Sequence, residues 1–199
     1  MKTTIFILFI LLTGCIQDNS GGPNLSLPPE TQVGANTFGC LINNKLVIPR
    51  DGEGSIMGPA KGAYFFGGYP NATDYYEIDI RDYKSYRTSK ILIHLQSVHL
   101  IGIGNYQIEA SNGNNSIDGL NNNYINCRVF NKKTNSYQYY RSFEKSGTCI
   151  ITRYDFDNRI ISGKFTAVLL NPGDPNDKIS INIGRFDFNW GTLDQTYFP

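Results

Sequence analysis

Thr73-Asp74-Tyr75-Tyr76-Glu77-Ile78-Asp79-Ile80-Arg81-Asp82 alternates with a period of two: Tyr76, Ile78 and Ile80 fall on one side of an extended chain, and Tyr75, Glu77, Asp79 and Arg81 on the other. Successive side chains of a strand point to opposite faces, so the pattern is that of a half-buried antiparallel strand with one polar face. The reading extends in both directions. Downstream, KILIHLQSV (90–98) aligns Ile91, Ile93 and Leu95 on one face, and NYQIEA (105–110) follows a turn around Gly102 and Gly104. Upstream, a Gly-rich loop leads into AYFFGGY (63–69). Before it, FGCLI-NN-KLVIP (38–49) is a hairpin signal, because the Asn43-Asn44 pair tolerates positive φ.

Beyond residue 110 the same pattern resumes after SNGNNSIDGLNNN (111–123), a polar Asn-rich stretch without apolar period that reads as a long surface loop. NYINCRVF and SYQYYRSF bracket Asn131–Asn135 as one hairpin, and GTCIITRYD and RIISGKFTAVLL bracket Phe156–Asn158 as another, ended by NPGDPND (171–177). In the last run, KISINIGRFDFNW (178–190), Ile179, Ile181 and Ile183 share one face while Phe186, Phe188 and Trp190 share the opposite one. A one-residue slip reconciles them, which predicts a β-bulge at Gly184. No window holds apolar residues at helical spacing for three turns. The chain therefore reads as all-β, a single antiparallel β-sandwich, with a flattened or closed barrel as the alternative.

The N-terminus follows a different grammar. Lys2 precedes the uncharged apolar run Ile5–Leu12, too short to cross a bilayer as a helix, and Leu12-Thr13-Gly14-Cys15 closes it as a bacterial lipobox does. The expected organisation is a signal peptide (1–14), a lipidated Cys15 with a flexible linker to residue 36, and a globular domain from 37 to 199. A lipobox cysteine carries more than one acyl chain, which makes membrane attachment durable. The Gly-, Pro- and Ser-rich linker spans about 70 Å at full stretch. Ile16 stands where an inner-membrane retention signal would carry Asp, so the outer membrane is the expected address, facing the periplasm or the cell surface.

The chain has 199 residues and 18 Lys+Arg against 17 Asp+Glu, and loss of Lys2 with the signal balances the mature protein at 17 and 17. A neutral chain has no electrostatic footprint for nucleic acid. With Cys15 acylated, Cys40, Cys127 and Cys149 remain, so at most one internal disulfide can form; three small buried hydrophobes is the equal alternative.

Catalytic motifs are missing. His94 and His99 lie five apart, on opposite faces of a strand, and no HExxH, GxSxG or Walker loop occurs. No catalytic residue, metal ligand or cofactor is assigned. Paired carboxylates are all a glycosidase needs, and Asp79, Asp82, Glu109, Asp155, Asp157 and Asp187 lie on or near strands, but at positions where solvated charge is the ordinary explanation. Asp155, Asp157 and Asn158, with Asp174 and Asp177, offer oxygens suited to Ca²⁺, yet Asx residues fill turns for backbone reasons. Aromatics stand out more. Tyr137, Tyr139, Arg141 and Phe143 alternate onto one face, and Tyr75 belongs to a second cluster. Exposed tyrosines offer a flat apolar face and a hydroxyl to a glycan or peptide. Tyr137, Tyr139 and Tyr75 are the candidate ligand-binding residues.

LPPETQVGANTFGCLINNKLVIP (27–49), SGTCIITRYDFDNRIISGKFTAVLLNP (146–172) and INIGRFDF (181–188) together resemble the opening and closing blocks of a family of uncharacterised small lipoproteins of Gram-negative bacteria. That resemblance covers both ends of the domain and not its middle. It implies a β fold and brings no catalytic residue. Asn44 stands where that family has Gly, and Lys164 where Thr is common.

Overall fold

The computed structural model describes residues 26–199 except 55, 57, 69–73 and 86. The signal peptide, Cys15 and the linker up to residue 25 lie outside the described residues. Eleven strands follow one another: β1 (Thr37–Ile42), β2 (Lys45–Val47), β3 (Ala63–Gly67), β4 (Tyr75–Asp82), β5 (Ser89–Gln96), β6 (Gly104–Ile108), β7 (Tyr124–Asn131), β8 (Ser136–Arg141), β9 (Gly147–Asp155), β10 (Ile160–Asn171) and β11 (Asp174–Asn189). One four-residue helix, α1 (Val98–Ile101), and two 3-10 turns complete the described elements.

All strands belong to one antiparallel sheet, ordered β2-β1-β11-β10-β8-β7-β5-β4-β3, with β6 and β9 branching from β10. The branch point explains the shape. Ile160 to Ala167 of β10 pair with β9, whereas Leu170 pairs with Arg141 of β8, so the sheet splits along one strand into two leaves. The leaves fold over each other without closing into a barrel, giving a sandwich-like, all-β fold. Tyr76, Ile78, Ile80, Ile91, Ile93, Leu95 and Ile125 line the inner face of one leaf, and Ile151, Phe165, Ile181, Phe186 and Phe188 that of the other. Truncating any one of the fully buried isoleucines to Ala would cost about 2–5 kcal/mol, because the cavity does not collapse fully.

Local chemistry matches the turns. Asn43 and Asn44 both adopt positive φ, 47° and 65°, as a two-residue hairpin requires. NPGDPND is shorter as a loop than its composition implies. Asn171 pairs with Asp174, so only Pro172 and Gly173 turn, and the Asn171 side chain accepts from Gly173 N at 3.0 Å.

The bulge on β11 falls one step before Gly184. Phe165 pairs with Gly184 but Ala167 with Ile181, so the extra residue lies in Asn182–Ile183. Ile183, not Gly184, takes the left-handed φ of 52°. It points outward, and Ile179, Ile181, Phe186 and Phe188 are all buried as a result. Gly184 instead makes room in the core. A Cβ there would lie 2.6 Å from the Phe165 ring, which packs directly on the glycine backbone.

Residues 26–36 depart from the linker expectation. They run across the sheet, held by Asp187, which is only 1% exposed. Asp187 accepts from Thr31 Oγ1 (2.6 Å), Val33 N (3.0 Å), Gly34 N (2.8 Å), Ala35 N (3.1 Å) and Ser162 Oγ (2.7 Å). Burial alone would raise its pKa, but these donors together hold the carboxyl below its usual value. Composition signals a linker because it carries no strand period; an irregular segment tied to one buried carboxylate has no period to show.

Cys40, Cys127 and Cys149 are free and buried. Desolvation pushes the thiols of Cys127 and Cys149 up to about 12, so they pack as small hydrophobes.

Candidate functional site

The polar face read from Tyr75–Arg81 becomes a four-strand surface once register is known. One cross-strand row runs Arg81, Lys90, Arg128, Tyr139; the next runs Asp79, Leu92, Asn126, Arg141; a third runs Glu77, His94, Tyr124. Each side chain owes its place to strand alternation, and each row to register.

The third row is covered. The Asn-rich segment leaves β6 and returns to β7, its ends closed by Glu109 N donating to Asn123 O at 2.8 Å. It folds back over the sheet as an Ω-type loop. Ser116 N donates to Glu77 Oε1 at 2.6 Å, Asn126 Nδ2 to Asn114 O at 3.2 Å, and Ser111 Oγ to Asn126 Oδ1 at 2.6 Å. Beneath it the Glu77 and His94 side chains are 0% exposed, with Glu77 Oε1 2.8 Å from His94 Nδ1. Gln96 Nε2 sits 2.8 Å from His94 Nε2; donating there leaves Nδ1 as the nitrogen that donates to Glu77. Tyr124 and Tyr75 stack on the imidazole at 4.3 and 4.7 Å. Pairing and hydrogen bonding are what permit a buried acid in such a place. The arrangement resembles a catalytic dyad, but it is sealed, and its second ring nitrogen faces an amide rather than a nucleophile. It holds the loop down.

The first row is open; in the second Asp79 and Leu92 are buried and Asn126 is bonded to the loop, and Arg141 borders the opening. Where the loop ends, Lys90, Arg128, Tyr139 and Arg141 with Gly113 and Asn115 of the loop border a groove of about 210 Å³. Asp79 pairs with Arg81 at 2.8 Å and with Lys90 at 3.2 Å. No carboxylate among the described residues pairs with Arg128 or Arg141. The Arg128 guanidinium lies over the Tyr137 ring at 4.5 Å, reaches Thr88 O at 3.4 Å, and keeps its Nε buried without a hydrogen-bond partner. Arg141 rests against Gly113, whose φ of 87° and lack of a side chain make room for the guanidinium; a Cβ would lie 2.4 Å from it. Tyr139 is 56% exposed beside them.

Of the three tyrosines expected to bind ligand, Tyr139 lines the groove. Tyr137 packs edge-on against Phe130 and under Arg128, a supporting position. Tyr75 belongs to the covered histidine cluster and does not line the groove. Sequence reasoning does not find Arg128, Arg141 and Lys90 as site residues. Alternation already puts Arg141 beside Tyr139, but the convergence of three cations needs the register of β5, β7 and β8.

Of the acids weighed as a glycosidase pair, Asp79, Asp82, Glu109, Asp155 and Asp187 are each engaged with partners of their own. Asp82 is bidentate to Arg50 at 2.6 and 2.7 Å, Glu109 accepts from Lys145 N at 3.0 Å, and Asp155 accepts from Arg153 and Asn158. The turn at Asp155 is an Asx turn, its carboxyl lowered to about 2 by the hydrogen bonds from Arg153 and Asn158. Asp177 faces Tyr140 and Asn171 instead. Among the described residues, no three His, Cys, Asp or Glu gather where they could hold a metal ion. A second cavity, of about 190 Å³, lies between residues 29–32 and the sheet. There Lys164 and Arg185, a cross-strand pair, both face Glu30, at 2.5 and 3.9 Å.

No protein-family model, curated protein or solved structure matches the chain.

Proposed function

We propose that this protein is a binding module of a Gram-negative cell envelope, lipid-anchored at Cys15 in the outer membrane, with the groove beside Tyr139 as its ligand site. The observation that carries the binding role is the pair of arginines, Arg128 and Arg141, standing without a carboxylate among the described residues beside an exposed tyrosine ring. An unanswered guanidinium pair next to an aromatic platform is costly to maintain and suits recognition of a ligand brought from outside. The anchor rests on the lipobox. With residues 31–35 held on Asp187, the covalent distance from Cys15 to the first held residue is at most about 55 Å, shorter than the span of about 70 Å that the composition allows.

Two measurements test this. Cys15→Ala should lose acyl labelling and leave the membrane fraction; retention there would end the anchor reading. The full acylated chain, purified in detergent and immobilised, should retain an envelope or host-surface component, and Tyr139→Ala should lose it without a change in melting temperature. Equal retention by Tyr139→Ala would remove the groove from the function.

A further inference from the structure

Resting on the binding-module reading, the geometry points to the chemical class of the ligand: we infer that the groove takes a carboxylate-bearing sugar unit of an acidic glycan.

Charge comes first. Lys90 and Arg128 stand directly opposite each other on neighbouring strands, an arrangement that repels. Asp79 relieves Lys90 and Arg81, and no acid among the described residues relieves Arg128. Arg128 pairs with Tyr139, and Arg141 is two residues further along β8, so both arginines border the groove on either side of that ring, Arg128 leaning toward Tyr137 and Arg141 toward Gly113, each able to meet an anion seated there. The guanidinium fork matches a planar carboxylate in two parallel hydrogen bonds.

Shape comes second. The groove lies on a sheet face, not an edge. β5 and β7, which carry Lys90 and Arg128, are each paired on both sides and offer no free backbone donors to an extended peptide; β8 pairs with β10 at Arg141 alone, so polyglutamate is the control for a peptide laid along that edge. Its volume of about 210 Å³ holds about seven waters, the scale of one sugar ring. The Tyr139 ring, more than half exposed, supplies the apolar face on which a pyranose stacks. Asn115, on the loop that forms the opposite wall, brings an amide suited to hydroxyls.

The experiment uses the full acylated chain in detergent and measures affinity for four polymers by titration calorimetry: polygalacturonate, its methyl ester, dextran sulfate and polyglutamate. Polygalacturonate should bind, with affinity falling as salt rises. The methyl ester, the same sugar without the charge, should bind about tenfold more weakly or worse. Arg141→Gln and Arg128→Gln should each lower polygalacturonate affinity about tenfold or more, while Lys133→Gln, on the exposed β7–β8 turn, should leave it unchanged. Melting temperatures of all variants exclude a folding defect. Equal binding of the ester overturns the acidic class; if that binding is lost in Tyr139→Ala, the module reading survives. Preference for dextran sulfate or polyglutamate replaces the carboxylated sugar with a sulfate ester or an acidic peptide. Retention of none of the four overturns the inference, and the component captured from envelope or host surface then decides the module reading by itself.

Discussion

Two cation pairs sit on the outer faces of the two leaves, and they are treated differently. Lys164 and Arg185, opposite each other on β10 and β11, are met by Glu30 from the same chain. Arg128 and Arg141, on β7 and β8, are met by no acid among the described residues. Both pairs lie beside cavities of similar size, about 190 and 210 Å³. The contrast teaches that like charge across strands is not by itself a site. One pair is closed by a segment that Asp187 ties to the sheet; the other is left open beside a loop that Glu77 ties down and that supplies the groove wall without supplying an acid.

The comparison is broken most severely at Asp187. Asp187→Asn removes the buried charge that five donors converge on and should cost about 3 kcal/mol of unfolding free energy in urea denaturation. It should also make residues 26–36 cleavable by protease, with Glu30 drawn away from its cations. A variant as stable and as resistant as the parent would refute the clamp.

Acid should do the same reversibly. The folded carboxyl of Asp187 is held below its unfolded value of about 3.9, so its contribution is complete above that pH and is lost as pH falls through the lowered folded value. The stability gap between parent and Asp187→Asn should therefore be constant near neutrality and narrow below about pH 4. A gap that widens with acid would reverse the sign and sink the account.

At Gly113, Ala would meet a positive φ and the Arg141 guanidinium together. Gly113→Ala should lower stability by about 1 kcal/mol and disturb ligand affinity more than melting temperature. The smallest effect on stability sharpens the contrast best. Glu30 is exposed, so Glu30→Gln should leave the melting temperature nearly unchanged, yet it uncovers Lys164 and Arg185. The second cavity should then gain weak affinity for the same anion that the first binds, visible as a second site in calorimetry. Failure to gain it would show that an uncovered cation pair without a neighbouring aromatic does not suffice.

The strands are legible because their signal is local. Tyr76, Ile78 and Ile80 against Glu77, Asp79 and Arg81 report the pleat directly, and Asn43-Asn44 reports its turn. The bulge on β11 is legible as a face change between Ile181 and Phe186, but its residue is not, because Ile183 accepts a left-handed φ that its side chain disfavours. Tyr139 and Arg141 can be placed on one face from spacing alone. Lys90 and Arg128 cannot be added, since nothing in the spacing says which strands are neighbours or in what register.

By itself, the sequence determined the class of fold, the position of most strands, the hairpin at Asn43-Asn44 and the chemistry of the polar face, all consequences of short-range backbone geometry. Only the tertiary structure decided that an Asn-rich loop would bury Glu77 and His94, that Asp187 would bind residues 31–35, and that four strands would line up three cations against one tyrosine. Those depend on contacts between residues up to 156 positions apart, where loop closure and register, not propensity, set the outcome.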